Sequence, residues 1–290
     1  MKVSGRTKVC AVIGDPVEHS LSPCFQNAAF QHLKLDFIYV AFTVKAENLG
    51  DAISGVRSLG IYGLNVTMPH KISVIKYLDE LDERADRIKS VNTILNRNGK
   101  LIGYTTDGIG VLNALKYNGV DPKGKKVVIL GAGGAARSAS YALSEVAGEL
   151  VILNRTIERA RNLASKVRKL IGSHVNVKWD GLTEESLRRE VREADILINA
   201  TPVGMSPNVN GTLVEKRLLH PDMVVFDMIY HPLKTRLLRE AEEVGAKTIN
   251  GLSMLIHQGA ASFEIWTGVE APVDVMMKAA EEEIRRREGA

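Results

Sequence analysis

A glycine-rich turn set between two short apolar runs constrains this chain more than any other feature. Val127, Val128, Ile129 and Leu130 are β-branched apart from the last, and the run predicts a fully buried strand. It stops at Gly131-Ala132-Gly133-Gly134-Ala135-Ala136, and a run of mostly small residues continues as a helix to about Ala147. Leu150 to Leu153 predicts a second buried strand. Strand, glycine turn, helix and strand in about 30 residues make a dinucleotide-binding unit. Gly131 suits the tight turn, Gly133 the close approach of backbone to a pyrophosphate, and Ala136 the close packing of helix on strand. The helix N-terminus then offers unpaired N–H groups and a positive dipole end to the phosphates.

The end of the second strand bears on which dinucleotide. NAD binders usually carry Asp or Glu there, on the ribose 2′-hydroxyl. This chain has Asn154-Arg155-Thr156. A carboxylate would repel a 2′-phosphate, whereas an Arg guanidinium offers a planar fork of donors that matches it. The pattern therefore favours NADP over NAD, against the plainer reading of Arg155 as a solvated loop residue.

With 290 residues the chain has room for two domains and a large core. Its net charge of +4 comes from interspersed signs, so no basic stripe points to nucleic acid, while anionic small ligands suit it. The Arg-rich end, Glu281 to Glu288, is balanced by its own acids and reads as a solvated helix face. Cys10 and Cys24 give no disulfide framework and are expected as small hydrophobes. No apolar signal core precedes the first strand, and no run has membrane-spanning length, so a cytoplasmic protein is expected. No metal site is expected.

In chain order, Lys8 to Ile13 predicts a strand, followed by a loop from Gly14 rich in turn formers. Ser22-Pro23 predicts a helix start, with Ser22 as N-cap and Pro23 at the first helical position. Strands are expected over Phe37 to Phe42 and Gly63 to Thr67, with a helix over Ala46 to Leu59 between them. Thr67 to Lys71 ends the third strand and starts another helix, which puts Lys71 at a helix N-terminus, where the dipole prefers anions. Ser90 to Thr93 and Lys100 to Tyr104 look like hairpin partners. Thr105 to Gly108 leads into a helix over Ile109 to Asn118, and Asp107 has the ordinary role of an N-cap open to it.

Beyond Thr156 the chain predicts helices over 157–171, 184–194 and 235–244. Strands are expected over 175–179, 195–200, 223–228 and 247–249. After Asn250-Gly251 only helices follow, over 253–266 and 272–287, and these are expected to pack back on the front domain.

Taken together, the stretches GDPVEHSLSP, NVTMPHK, SVNT, TDG, GAGGAARS, NRT, NATPVGM, DMIYHPLKT and GLSMLIHQGAASFEIWTG resemble the shikimate/quinate dehydrogenase family over nearly the whole chain. The resemblance implies two α/β domains. One is a Rossmann-type NADP-binding domain over 108–252; the other is an N-terminal substrate domain over 1–107, completed by C-terminal helices over 253–290. It implies NADPH-dependent reduction of 3-dehydroshikimate to shikimate, with Lys71 and Asp107 as the catalytic pair. Ser20 and Ser22 would bond the substrate carboxylate, Thr67, Asn92 and Gln258 the ring hydroxyls, with Asp107 also on the substrate and Tyr230 near its carboxylate side. On the cofactor side, Gly131, Ala132, Gly133, Gly134 and Ala135 match the pyrophosphate loop, and Asn154, Arg155, Thr156 and Arg159 the adenosine-phosphate end. Thr201, Met205, Met228 and Gly251 match positions around the nicotinamide, and Glu83 is a further cofactor candidate. The expected partner is a small molecule, with no nucleic acid or membrane, in a monomer or homodimer. A dual-specificity quinate/shikimate enzyme and a non-catalytic NADP-binding regulator are the alternatives; the second should have lost Lys71 or Asp107, and this chain retains both.

Overall fold

The computed structural model describes residues 3–171 and 175–288; the first two and last two positions of the expected front domain lie outside them. The chain divides into two compact units, residues up to Thr106 with Ile256 onward, and Asp107–Leu255 between them.

The first unit opens with β1 (Lys8–Gly14), α1 (Ser22–His32) and β2 (Phe37–Thr43). A 3-10 turn at Ala46–Asn48 runs into α2 (Leu49–Ser58), and β3 (Gly63–Val66) follows. A second 3-10 turn (Ser73–Tyr77) precedes β4 (Glu80–Leu81), α3 (Glu83–Ile88), β5 (Thr93–Arg97) and β6 (Lys100–Tyr104). The sheet order is β2-β1-β3-β5-β6-β4. Strands β1, β2 and β3 run parallel, and the β5–β6 hairpin adds antiparallel to β3, with Asn65 opposite Thr93. One face buries Ile13, Leu64, Val66, Ile94 and Leu101 against Ile53 and Val56 of α2.

The second unit holds α4 (Asp107–Tyr117), β7 (Lys126–Leu130), α5 (Gly134–Ser144), β8 (Glu149–Asn154), α6 (Ile157–Ile171) and β9 (Asn176–Gly181). It continues with α7 (Glu184–Val191), β10 (Ile196–Asn199), β11 (Val224–Asp227), α8 (Arg236–Glu243) and β12 (Lys247–Ile249). All six strands are parallel, in the order β12-β11-β10-β7-β8-β9. That is the doubly wound order, which reverses between β7 and β10 and opens a crevice at their carboxyl ends. A large core cluster of this unit is built from Val, Leu, Ala and Met, including Val128, Leu197, Met223 and Val225. Strands buried on both faces by helices demand such apolar runs.

Two helices end the chain, α9 (Gly251–Thr267) and α10 (Val273–Glu288). Within the first unit α10 packs along α1, and Cys24 Sγ donates to the Ala279 carbonyl at 3.2 Å. Phe263 of α9 stacks on Phe30 of α1 at 5.0 Å, and Trp266 donates its indole N–H to the Ile94 carbonyl at 3.0 Å. Cys10 is fully buried, and burial pushes its thiol well above the ordinary range, so it serves as core.

Several local expectations need correction. Ser22 does not cap α1: it is the first helical residue, and the capping position falls on Leu21, whose carbonyl accepts from Cys24 and Phe25. The hydroxyl that serves this turn is that of Ser20, which accepts from the Ser22 N–H at 3.2 Å. Lys71 does not start a regular helix, because only a 3-10 turn follows from Ser73, so the dipole argument has no helix to act through. Asp107 lies inside the first turn of α4 rather than before it. The helix after the glycine turn ends at Ser144, and β4 and α3 arise in a stretch whose pattern showed no element.

Candidate active site

In the first unit, β3 carries a polar residue inside an apolar strand, and that misfit organises the neighbourhood. Asn65 is buried, and its amide nitrogen donates to the Asn92 carbonyl (3.0 Å), Ser262 Oγ (3.0 Å) and Thr93 Oγ1 (3.2 Å). Its oxygen accepts from the Tyr39 hydroxyl at 2.7 Å. Burial raises the Tyr39 phenol well above its usual value, so this hydroxyl stays a donor, and it also contacts Ser22. Every polar group of the cluster is thereby matched, as burial demands.

Asn92 sits at the edge of this cluster, immediately before β5. It donates from Nδ2 to Thr106 Oγ1 (2.9 Å) and Gln258 Oε1 (3.2 Å), and accepts the Thr106 N–H at Oδ1 (2.7 Å). Asn92 and Gln258 are therefore brought together, although far apart in sequence, because α9 packs on the hairpin. Thr67 follows β3 directly, donating its N–H to Ile13 and accepting from His70, both at 2.9 Å. Lys71 is half-buried, and its carbonyl accepts the Val91 N–H at 2.8 Å, which ties its backbone to the residue before Asn92. Ser20 and Ser22 flank the start of α1. The assembled amides and hydroxyls offer donors and acceptors in the mixture that a polyol requires. Glu83 also lies in this unit, exposed at the start of α3 and paired loosely with Arg87 at 3.9 Å.

In the second unit, Gly131 follows β7 with φ +112°, a conformation that L side chains rarely adopt. Its N–H donates to Leu153 at 2.7 Å, which fixes the turn to β8. Gly133 precedes α5 in extended conformation. A Cβ added at Gly133 or Gly134 would meet no atom within 4 Å, so the turn presents bare backbone to an open face. Ala132 and Ala135 flank it, and Ala136 is fully buried against the sheet. At the end of β8, Asn154 Nδ2 donates to the Thr156 carbonyl (2.8 Å) and Thr156 accepts from the Arg159 N–H (3.0 Å). Arg155 and Arg159 are both exposed, and among the described residues neither has an ion-pair partner. An open glycine turn and two uncommitted guanidinium groups one strand away fit a dinucleotide bearing an extra phosphate.

The ends of β10 and β11 form a second buried network that the sequence reading missed. Asp227 is fully buried, accepting at Oδ1 from Asn199 Nδ2 (3.0 Å) and the Ile229 N–H (3.1 Å), and at Oδ2 from the Thr235 hydroxyl (2.7 Å). Asn199 Oδ1 in turn accepts from the hydroxyl (2.7 Å) and N–H (3.1 Å) of Thr201, and the Thr201 hydroxyl accepts from the Val203 N–H (3.2 Å). Burial without a cation pushes the Asp227 carboxyl up to about 6, opposed by these hydrogen bonds. Met228 donates its N–H to Asn199 at 3.0 Å, and Gly251 donates to Ile229 at 3.0 Å. Thr201, Met228 and Gly251 are thus gathered at one end of the sheet, with Met205 on the exposed turn after Thr201. Asp107 and Tyr230 belong to this unit as well, Asp107 buried in the first turn of α4 and Tyr230 partly exposed after β11.

Among the described residues no group of His, Cys, Asp or Glu is arranged to hold a metal ion, and no helix is long and apolar enough to cross a membrane.

Comparison with known proteins gives this geometry its family. Residues 12–94 match the shikimate dehydrogenase substrate binding domain, residues 114–230 the shikimate / quinate 5-dehydrogenase family, and residues 251–281 the shikimate 5′-dehydrogenase C-terminal domain. The chain is 49% identical over 288 residues to a shikimate dehydrogenase (NADP(+)) of Methanopyrus kandleri, covering 98% of this chain and 99% of that one. A crystal structure of a shikimate dehydrogenase in complex with NADP+ superposes with a TM-score of 0.91 at 48% identity, covering 98% of both chains. A shikimate 5-dehydrogenase from Listeria monocytogenes, solved with shikimate and NAD, gives 0.91 at 40% identity, covering 96% of this chain and 98% of that one. By its sequence, its two sheets and its motifs, the chain belongs to the shikimate/quinate dehydrogenase family.

Proposed function

We propose that this chain is an NADP-dependent oxidoreductase that interconverts 3-dehydroshikimate and shikimate on the route to the aromatic amino acids. The observation that carries the reading is the 49% identity over 288 residues to an NADP-dependent shikimate dehydrogenase. The open glycine turn and the exposed Arg155 support the choice of cofactor, and the Asn92–Gln258 pair supports a polyol substrate. Ser20 and Ser22 hold the substrate carboxylate, with Tyr230 on the same side, and Thr67, Asn92 and Gln258 hold the ring hydroxyls. Gly131 to Ala135 hold the pyrophosphate, Asn154 to Thr156 with Arg159 the adenosine phosphate, Thr201, Met205, Met228 and Gly251 surround the nicotinamide, and Glu83 is a further cofactor residue.

NADPH supplies the hydride for reduction of the substrate carbonyl. The chain's own task is alignment and proton transfer. In reduction the Lys71 ammonium delivers a proton to the forming alkoxide oxygen; in oxidation the neutral amine takes it back. A lysine that only stabilises negative charge on that oxygen would do part of the same work.

The test is the initial rate of NADP+ reduction with shikimate, run beside Lys71→Ala and repeated with quinate and with NAD+. A rate with shikimate and NADP+ that falls at least about a hundredfold in the variant, with shikimate still bound, upholds the proposal. Retained NADP+ binding with no turnover of either polyol would favour the regulator, and equal turnover of quinate the dual-specificity enzyme.

A further inference from the structure

The cluster at the ends of β10 and β11 carries an inference about a residue with no assigned role. Asp227 is fully buried, has no ion-pair partner among the described residues, and accepts hydrogen bonds from three separate segments. The first is the end of β10, through Asn199, whose oxygen holds the hydroxyl and N–H of Thr201. The second is the Ile229 N–H, between Met228 and Tyr230. The third is Thr235, whose Oγ1 accepts from the Leu238 N–H and so caps α8. A stability role alone would be met more cheaply by an apolar residue, since an unpaired carboxylate is costly to bury. What an apolar residue cannot supply is an acceptor with enough lone pairs to bond all three segments at once.

We infer that Asp227 is a positioning residue for the nicotinamide end of the cofactor site, setting through Asn199 and the Ile229 amide the places of Thr201 and Met228. The inference rests on the proposed NADP-binding reading, which gives those two residues their role. Asn at 227 keeps the size but replaces one acceptor oxygen by an amide NH2, which only the Thr235 hydroxyl can turn round to accept; Asn199 Nδ2 and the Ile229 N–H cannot. In that orientation the negative charge is still lost, so the bonds to Asn199 and Ile229 that anchor the loop after Thr201 lose their charge assistance.

The test compares two ligands on wild type and Asp227→Asn by calorimetry: NADP+, and adenosine 2′,5′-bisphosphate, which occupies only the adenosine end. The expected result is NADP+ affinity weakened about tenfold, the cost of one hydrogen bond to a charged group, with adenosine 2′,5′-bisphosphate affinity unchanged. Methyl resonances of labelled Met205 and Met228 should shift in the variant without ligand. Equal loss on both ligands, or no loss on either, would overturn the inference, because a merely structural residue has no reason to distinguish them. If Asp227→Asn fails to fold, Thr235→Val removes one link and is held to the same selective pattern with a smaller loss. A wild-type protein that binds neither ligand would sink the cofactor reading itself, a result distinct from an indifferent Asp227→Asn.

Discussion

Gly131 and Thr201 meet where the strand order of the second sheet reverses: a Cβ on Gly131 would lie 3.1 Å from Thr201 Cγ2 and 3.0 Å from the Ala200 carbonyl oxygen. Gly131 is therefore crowded by the Ala200 backbone and the Thr201 side chain, and a Cβ there would force its neighbours to shift. Gly131→Ala would combine that crowding with a φ of +112°, costing about 1–3 kcal/mol. We expect a lower melting temperature and NADP+ affinity weakened at least about tenfold, read by thermal denaturation and ligand titration. Unchanged affinity would show that the turn does not carry the pyrophosphate.

Arg155 stands exposed at the end of β8. If its guanidinium holds the 2′-phosphate, Arg155→Ala should weaken NADP+ about tenfold or more while leaving NAD+ within about twofold. Stability should hardly change, as for most exposed positions. A variant that loses both cofactors equally removes the phosphate clamp from the argument.

Asp227 also gives a pH dependence with a definite sign. Its carboxyl is raised by burial from 3.8 to about 6, so the folded state holds the proton more tightly than the unfolded chain does. The stability this contributes is fully present below about pH 4 and is lost as pH rises through about 6. Relative to Asp227→Asn, the wild type should lose up to about 3 kcal/mol across that window. Urea melts of both proteins on either side of it measure the difference, and a pH-independent difference would count against a raised carboxyl.

Gly63 begins β3 beneath Trp266, with a Cβ position only 2.6 Å from the indole Nε1. The indole is held there by its bond to the Ile94 carbonyl, so it cannot simply swing aside. Gly63→Ala should cost about 1–3 kcal/mol of stability, measured by denaturant melts. The loss should be much smaller in a Trp266→Phe background, whose smaller ring gives way.

Much of the architecture was legible because strands buried on both faces leave continuous apolar runs; β7, β8, β10 and β11 announce themselves in this way. The glycine turn was legible for the same reason, being the abrupt end of such a run. Short elements were not. Glu80–Leu81 is too brief for any period, and α3 depends on the Asp82 side chain accepting from the Ala85 N–H rather than on an apolar stripe. Buried polar hubs were the larger omission. Asn65, Asn199 and Asp227 each interrupt or end an apolar strand, and that position was a signal: a lone polar residue there must have partners. Who the partners are could not be read, since Ser262 lies far along the chain from Asn65, and Thr235 reaches Asp227 only because the chain turns back into α8.

The first unit is discontinuous, and this bears on how the protein is made. Its chain leaves at Thr106 and returns only at Ile256, so the ribosome completes all of the second unit before supplying α10 and most of α9. The nascent front sheet must wait through that interval with α1 bare where α10 will lie and with Phe30 lacking Phe263. The parallel second sheet, continuous in sequence, has no such wait. A nascent chain that stops before Ile256 would therefore carry every element of the second unit while its first unit still lacked α10 and most of α9.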